Sequence, residues 1–125
     1  MARILVVDDE ALVRQTLRSI LERAGHEVVE AHDGDGCLET FSASEPDLVL
    51  IDIIMPNREG VETIAELRAR GSSVPILAMS GGGRTAGGML FLHAAERLGA
   101  TRTLTKPIRG SQLLGAVQEC LAVAA

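Results

Sequence analysis

Asp47-Leu-Val-Leu-Ile-Asp52-Ile-Ile-Met-Pro56 is the stretch that decides how this chain is read. Successive side chains of a strand point to opposite faces, so the unbroken run Leu48, Val49, Leu50, Ile51 describes a strand buried on both faces. That is the pattern of a parallel sheet covered by helices on either side. The run ends on one carboxylate, Asp52, before further apolar residues and a proline. In open α/β sheets, ligands bind in the crevice at the carboxyl ends of the strands. The function therefore turns on what else reaches that edge.

Working outward, the segments on both sides alternate strand and helix. Arg3-Ile-Leu-Val-Val-Asp8 reads as a first buried strand with Asp8, Asp9 and Glu10 at its end. A helix starts at about Glu10; Val13, Leu17, Ile20, Leu21 and Ala24 keep helical spacing, and Gly25 stops it. His26–Ala31 is a second strand, and Asp33-Gly-Asp-Gly36 is a turn into a short helix that ends before Pro46. Beyond Asp52, residues 56–60 form a loop and Val61, Ile64, Ala65 and Leu67 mark a third helix. Val74–Ser80 is a fourth strand, Gly81–Gly88 a glycine-rich loop, and Met89–Leu98 a fourth helix. Thr101–Thr105 is a fifth strand, less apolar and so expected at a sheet edge, followed by Lys106-Pro107 and an amphipathic last helix through Leu113, Leu114, Val117 and Leu121. Five β-α units in alternation call for an α/β fold, a parallel sheet built from right-handed crossovers with helices on both faces.

Bulk properties narrow the function classes. The chain has 125 residues, 46% of them hydrophobic, enough for one core. It is read as one domain over residues 1–125, with no repeat, linker or output domain. A net charge of -5 argues against a general nucleic-acid binder. Trp and Tyr are absent, which leaves little for base or sugar stacking. The first apolar run is too short for a signal peptide or a membrane span. Cys37 and Cys120 lack CxxC spacing and are expected to be free thiols packed in helices of a cytoplasmic protein. His26, His32 and His93 show no ligand spacing and are expected at the surface; Glu59, Glu62, Glu66, Arg68 and Arg70 read as a solvated helix face.

At the carboxyl edge the strands leave Asp8 and Asp9, Asp52, Ser80 and Lys106. Taken singly each has an ordinary explanation. Asp8-Asp9 suits a helix N-cap, Ser80 before glycine a turn, and Lys106 a solvated charge. Together they form a constellation. Clustered carboxylates resist joint ionisation, and a hard cation such as Mg²⁺, which prefers oxygen ligands, relieves that. A carboxylate can attack phosphorus to give an aspartyl-phosphate, and a lysine and a hydroxyl can neutralise the transferred group.

The chain resembles the receiver domains of two-component response regulators, over essentially its whole length. The resemblance rests on Val6-Val-Asp8-Asp9, on Asp52-Ile-Ile-Met-Pro-Asn-Arg-Glu-Gly60, on Ser80 after the fourth strand and on Leu104-Thr-Lys106-Pro107. It implies a flavodoxin-like doubly wound sheet of strand order 2-1-3-4-5. It further implies that Asp52 accepts phosphate from a histidine kinase or histidine phosphotransfer protein. Asp9 would bind Mg²⁺ directly, Asp8 mainly through water, and Asp52 and the backbone carbonyl of Ile54 would be further ligands. Ser80 and Lys106 would hold the phosphoryl oxygens, and the Lys106–Pro107 peptide would be cis. Such a protein is a phosphoacceptor rather than an enzyme, with Mg²⁺-dependent self-phosphorylation and autodephosphorylation. It signals to a protein target through helix four, the fifth strand and the last helix, and contacts neither nucleic acid nor membrane.

Other readings stand beside this one. A degenerate receiver would bind partners without phosphorylation. A haloacid-dehalogenase-type phosphatase would need Asp-x-Asp after the first strand, whereas this chain has adjacent aspartates. Gly81-Gly-Gly-Arg-Thr-Ala86 matches a dinucleotide fingerprint, but after the wrong strand. The chain also departs from familiar receivers. Thr103 replaces the aromatic residue that rotates on activation, so a switch is expected to run through Ser80, the loop 81–88 and helix four. Met89, Leu90, Phe91 and Leu92 exceed what one helical face buries, so part of that run is expected to meet a partner.

Overall fold

The computed structural model describes residues 1–53, 60–80 and 93–124. Expectations placed on the glycine loop, on Met89–Leu92 and on Ile54 lie outside the described residues. The elements follow in the order β1 (Arg3–Val7), α1 (Ala11–Arg23), β2 (Glu27–Ala31), α2 (Gly34–Ser44), β3 (Leu48–Asp52), α3 (Gly60–Ala69), β4 (Ile76–Ser80), the helical residues 93–98 (α4), β5 (Arg102–Thr105) and α5 (Gly110–Ala124). The five strands form one parallel sheet of order β2-β1-β3-β4-β5, which makes this a flavodoxin-like doubly wound fold. β5 is an edge strand, as its composition implied.

Strand alternation splits the core in two. Leu5, Val7, Val49, Ile51, Ile53, Ile76 and Ala78 point to one side and pack with Cys37 and Leu38 of α2 and Ile64 and Leu67 of α3. Ile4, Val6, Leu48, Leu50, Leu77 and Met79 point to the other and pack with Leu17 and Leu21 of α1 and Leu113, Val117 and Cys120 of α5. Every residue of β3 is buried. Both cysteines are free and buried. Burial, with the nearby Asp33 charge, pushes the Cys37 thiol up to about 12, which leaves it protonated and inert. Among the described residues no helix is long and apolar enough to cross a membrane.

Three local expectations change. The turn Asp33–Gly36 belongs to α2: Asp33 is the N-cap, and its Oδ1 accepts from the Gly36 N–H at 2.7 Å. The cap holds a helix start that two glycines would otherwise disfavour. His26 is half-buried and accepts through Nδ1 from the Ala2 N–H at 3.2 Å. Burial, then the nearby amino terminus, depresses its pKa and so favours the neutral, accepting form.

Arg68 is the third. It is not a solvated charge but a clamp, donating to the carbonyls of Gly99 (2.6 Å), Val74 (2.7 Å) and Ser72 (3.1 Å). It thereby ties the end of α3 to the entry of β4 and the end of α4. Arg68→Ala leaves those carbonyls without their donor, and is expected to lower unfolding free energy by about 2 kcal/mol, the cost of losing charge-assisted hydrogen bonds. With neither Trp nor Tyr in the chain, urea unfolding followed by far-UV circular dichroism is the measurement.

Candidate functional site

The parallel sheet delivers its carboxyl ends to one edge, and there the side chains of Asp8, Asp52 and Lys106 meet. Asp8 follows β1 directly and is fully buried. Asp52 is the last residue of β3 and is buried. Between them stands Lys106, just past β5, whose Nζ donates to Asp52 Oδ2 at 2.9 Å and to Asp8 Oδ2 at 3.0 Å. A single ammonium thus spans two strand ends and offsets the repulsion between two buried carboxylates. Burial works against the charged lysine, but the bonds and charges of Asp52 and then Asp8 outweigh it, and the Lys106 pKa lies above its ordinary value.

The backbone fixes where this lysine stands. Lys106 N–H donates to the Ser80 carbonyl at 2.7 Å, which joins the ends of β4 and β5. The Lys106–Pro107 peptide is cis, as the resemblance implied. Ser80 is fully buried at the end of β4, where the expected reading placed it.

Asp8 serves two ends at once. Its Oδ1 accepts from the Glu10 N–H at 2.9 Å, the local turn role that an aspartate before a helix commonly plays. Its Oδ2 faces Lys106. Asp9 and Glu10 are exposed, and carboxylate oxygens of Asp8, Asp9 and Glu10 lie within 4.8 Å of one another. Glu10, the N-cap residue of α1, was not among the expected ligands. Its place in the chain, directly after Asp8-Asp9, was the one signal for it.

Gly60, the first residue of α3, packs directly on the end of β3. Its N–H donates to the Ile53 carbonyl at 3.0 Å. A Cβ there would stand 2.4 Å from Ile53 Cα and 2.6 Å from the Asp52 carbonyl oxygen. Glycine is required by this close approach, whereas the sequence reading placed it as a loop end and the last residue of a family motif.

On the far side of the sheet edge, β5 and α5 enclose a shallow hollow lined by Arg102, Thr103, Ser111, Gln112, Gly115 and Glu119 among others, with a volume of about 310 Å³. Thr103 is half-buried there, and Arg102 pairs with Glu119 across the rim.

Comparison with known proteins bears on the family and the fold. The family described as response regulator receiver domain matches residues 4–118. The chain is 36% identical over 119 residues to the response regulator MprA of Mycobacterium ulcerans, covering 95% of this chain and 50% of that protein. It thus spans about half the length of the curated relatives it matches. Among solved structures, NtrX from Brucella abortus superposes with a TM-score of 0.89 at 30% identity, over 98% of this chain and 27% of that one. The chemotaxis response regulator CheY4 of Vibrio cholerae gives 0.85 at 30% identity, over 96% of this chain and 98% of that one. A fold, a carboxylate-lysine edge and a match across nearly the whole chain converge: the chain belongs to the response regulator receiver domain family.

Proposed function

We propose that Asp52 is the phosphoacceptor of a two-component phosphorelay. The supporting observation is the bridge from Lys106 Nζ to both Asp52 Oδ2 and Asp8 Oδ2. It presents a carboxylate at a strand end, beside a cation suited to the oxygens of an incoming phosphoryl group. A carboxylate oxygen of Asp52 attacks phosphorus, the new O–P bond forms, and the P–N bond to the donor histidine breaks with its electron pair returning to the imidazole. Lys106 can follow the transferred charge without leaving the site, and the Ser80 hydroxyl offers a donor to another phosphoryl oxygen. The phosphodonor is a histidine kinase or a histidine phosphotransfer protein.

The clustered carboxylate oxygens of Asp8, Asp9 and Glu10 are of the kind Mg²⁺ takes. Asp9 and Asp52 would hold the ion, Asp8 would act mainly through water, and the Ile54 carbonyl, outside the described residues, has the same assignment. When bound, the ion would neutralise charge on the phosphoryl oxygens. Phosphorylation would be read by a protein partner on α4, β5 and α5. The hollow beside Thr103 supports that placement, because it leaves room where receivers commonly carry an aromatic ring.

Acetyl phosphate, which needs no kinase, tests the reading. Incubation with Mg²⁺ is expected to add one phosphoryl group per chain by intact mass, and Asp52→Asn is expected to abolish the addition. Phosphorylation that persists in Asp52→Asn, or none in the unsubstituted protein, would reject the proposal. The second outcome would leave a module that binds partners without phosphate.

A further inference from the structure

Arg14 lies outside the constellation of strand ends, yet it touches the site. Its Nη1 donates to the backbone carbonyl of Asp8 at 2.6 Å, and its Nε to Glu30 Oε1 at 3.0 Å. Glu30 stands on β2, and its other oxygen accepts from Arg18 Nε at 2.6 Å. Two arginines one turn apart on α1 therefore share one carboxylate on the neighbouring strand. The hydrogen bonds and charges of Arg18 and Arg14 overcome the effect of burial and keep the Glu30 pKa below its ordinary value, so it is a fixed anion at neutral pH. Of the two arginines, Arg14 is the one that reaches Asp8; Arg18 reaches Glu22 and the Val28 carbonyl instead.

We infer that Arg14, held by Glu30, is a positioning residue for the cation-binding turn Asp8–Glu10. The inference rests on the reading of that turn as the Mg²⁺ site. A peptide unit is planar, so fixing the Asp8 carbonyl fixes the plane that continues into Asp9. With its N–H on Ala31, its carbonyl on Arg14, Oδ1 on the Glu10 N–H and Oδ2 on Lys106, Asp8 has each polar atom committed. Asp9 and Glu10 then project from a turn whose first residue is immobilised. The guanidinium fork matters here: it spans Glu30 and the carbonyl together, which a lysine ammonium does not reproduce. Groups that orient metal ligands from behind commonly change affinity when removed.

Simple charge makes the opposite prediction. Arg14 is a cation near a cation site, so its removal by charge alone would tighten Mg²⁺ binding. Calorimetric Mg²⁺ titration and amide hydrogen exchange at Glu10, read by NMR, separate the two in Arg14→Ala, Arg14→Lys and Arg18→Ala. Arg14→Ala and Arg14→Lys are each expected to raise the Mg²⁺ dissociation constant about tenfold. Both are expected to speed Glu10 amide exchange at least about fivefold, as a loosened local turn does. Arg18→Ala, which breaks the companion pair to Glu30 without touching Asp8, is expected to leave both quantities near those of the unsubstituted protein. Unchanged Glu10 exchange in the Arg14 variants, Mg²⁺ binding that is equal or tighter, or an equal loss in Arg18→Ala would overturn the assignment. If the unsubstituted protein binds no Mg²⁺, the reading of the metal site fails, and Glu10 exchange alone still decides whether Arg14 holds the turn.

Discussion

Lys106→Met is expected to lower the unfolding free energy at neutral pH by about 3 kcal/mol, the usual order for removing one partner of a buried ion pair. The methionine keeps most of the side chain's length and apolar volume, so the loss is electrostatic. Asp8 and Asp52, each buried, then face one another without the ammonium that sits 3.0 Å and 2.9 Å from them. A second substitution distinguishes this cause from loosened packing. In Lys106→Met, adding Asp52→Asn removes one of the two facing charges and is expected to restore about 1 kcal/mol or more, a coupling of the size seen between residues in one network. Urea unfolding followed by far-UV circular dichroism reads both; additive losses would contradict the electrostatic cause. Lys106→Met should also lose labelling by acetyl phosphate while remaining folded, since the same ammonium is the cation proposed for the phosphoryl oxygens.

Gly60→Val is expected to be at least as severe, at about 3 kcal/mol or more, near the upper end for forcing volume into a packed site. Its Cβ would approach Ile53 Cα to 2.4 Å and the Asp52 carbonyl oxygen to 2.6 Å, and both are backbone atoms that cannot turn aside. Either α3 retreats from the sheet or the end of β3 shifts. In the first case the Gly60 N–H loses the Ile53 carbonyl; in the second, Asp52 is displaced relative to Lys106. Gly60→Ala carries the same first clash with fewer atoms and is expected to show a smaller loss in the same direction. Unfolding free energies of the two variants, with labelling of whatever remains folded, check this; a Gly60→Ala protein of full stability would mean that α3 yields at little cost.

What the sequence disclosed and what it hid divide along a physical line. Asp8, Asp52, Ser80 and Lys106 were readable because each ends or follows a strand, and a parallel sheet brings every such end to one edge. The two-sided core was readable for the same reason, since the alternation of Ile4 and Val6 against Leu5 and Val7 needs only strand geometry. Arg68 was misread because its surroundings in the chain, Glu62, Glu66 and Arg70, look like a polar helix face. What sets it apart is the position of three carbonyls belonging to other segments, Ser72, Val74 and Gly99. Arg14 and Gly60 share that character: one needs the spacing of α1 from β2, the other the approach of α3 to β3. The helix start at Gly34 was hidden differently, because two glycines in three residues outweighed the capping signal of Asp33.

The complete burial of β3 has a consequence for signalling. A central strand, paired on both sides and sealed by both halves of the core, exchanges its amide hydrogens only when the whole protein opens. The backbone of Asp52 therefore behaves as a stator. Under the proposed function, modification there would alter charge at a fixed address, and the motion that reports it would arise outside β3.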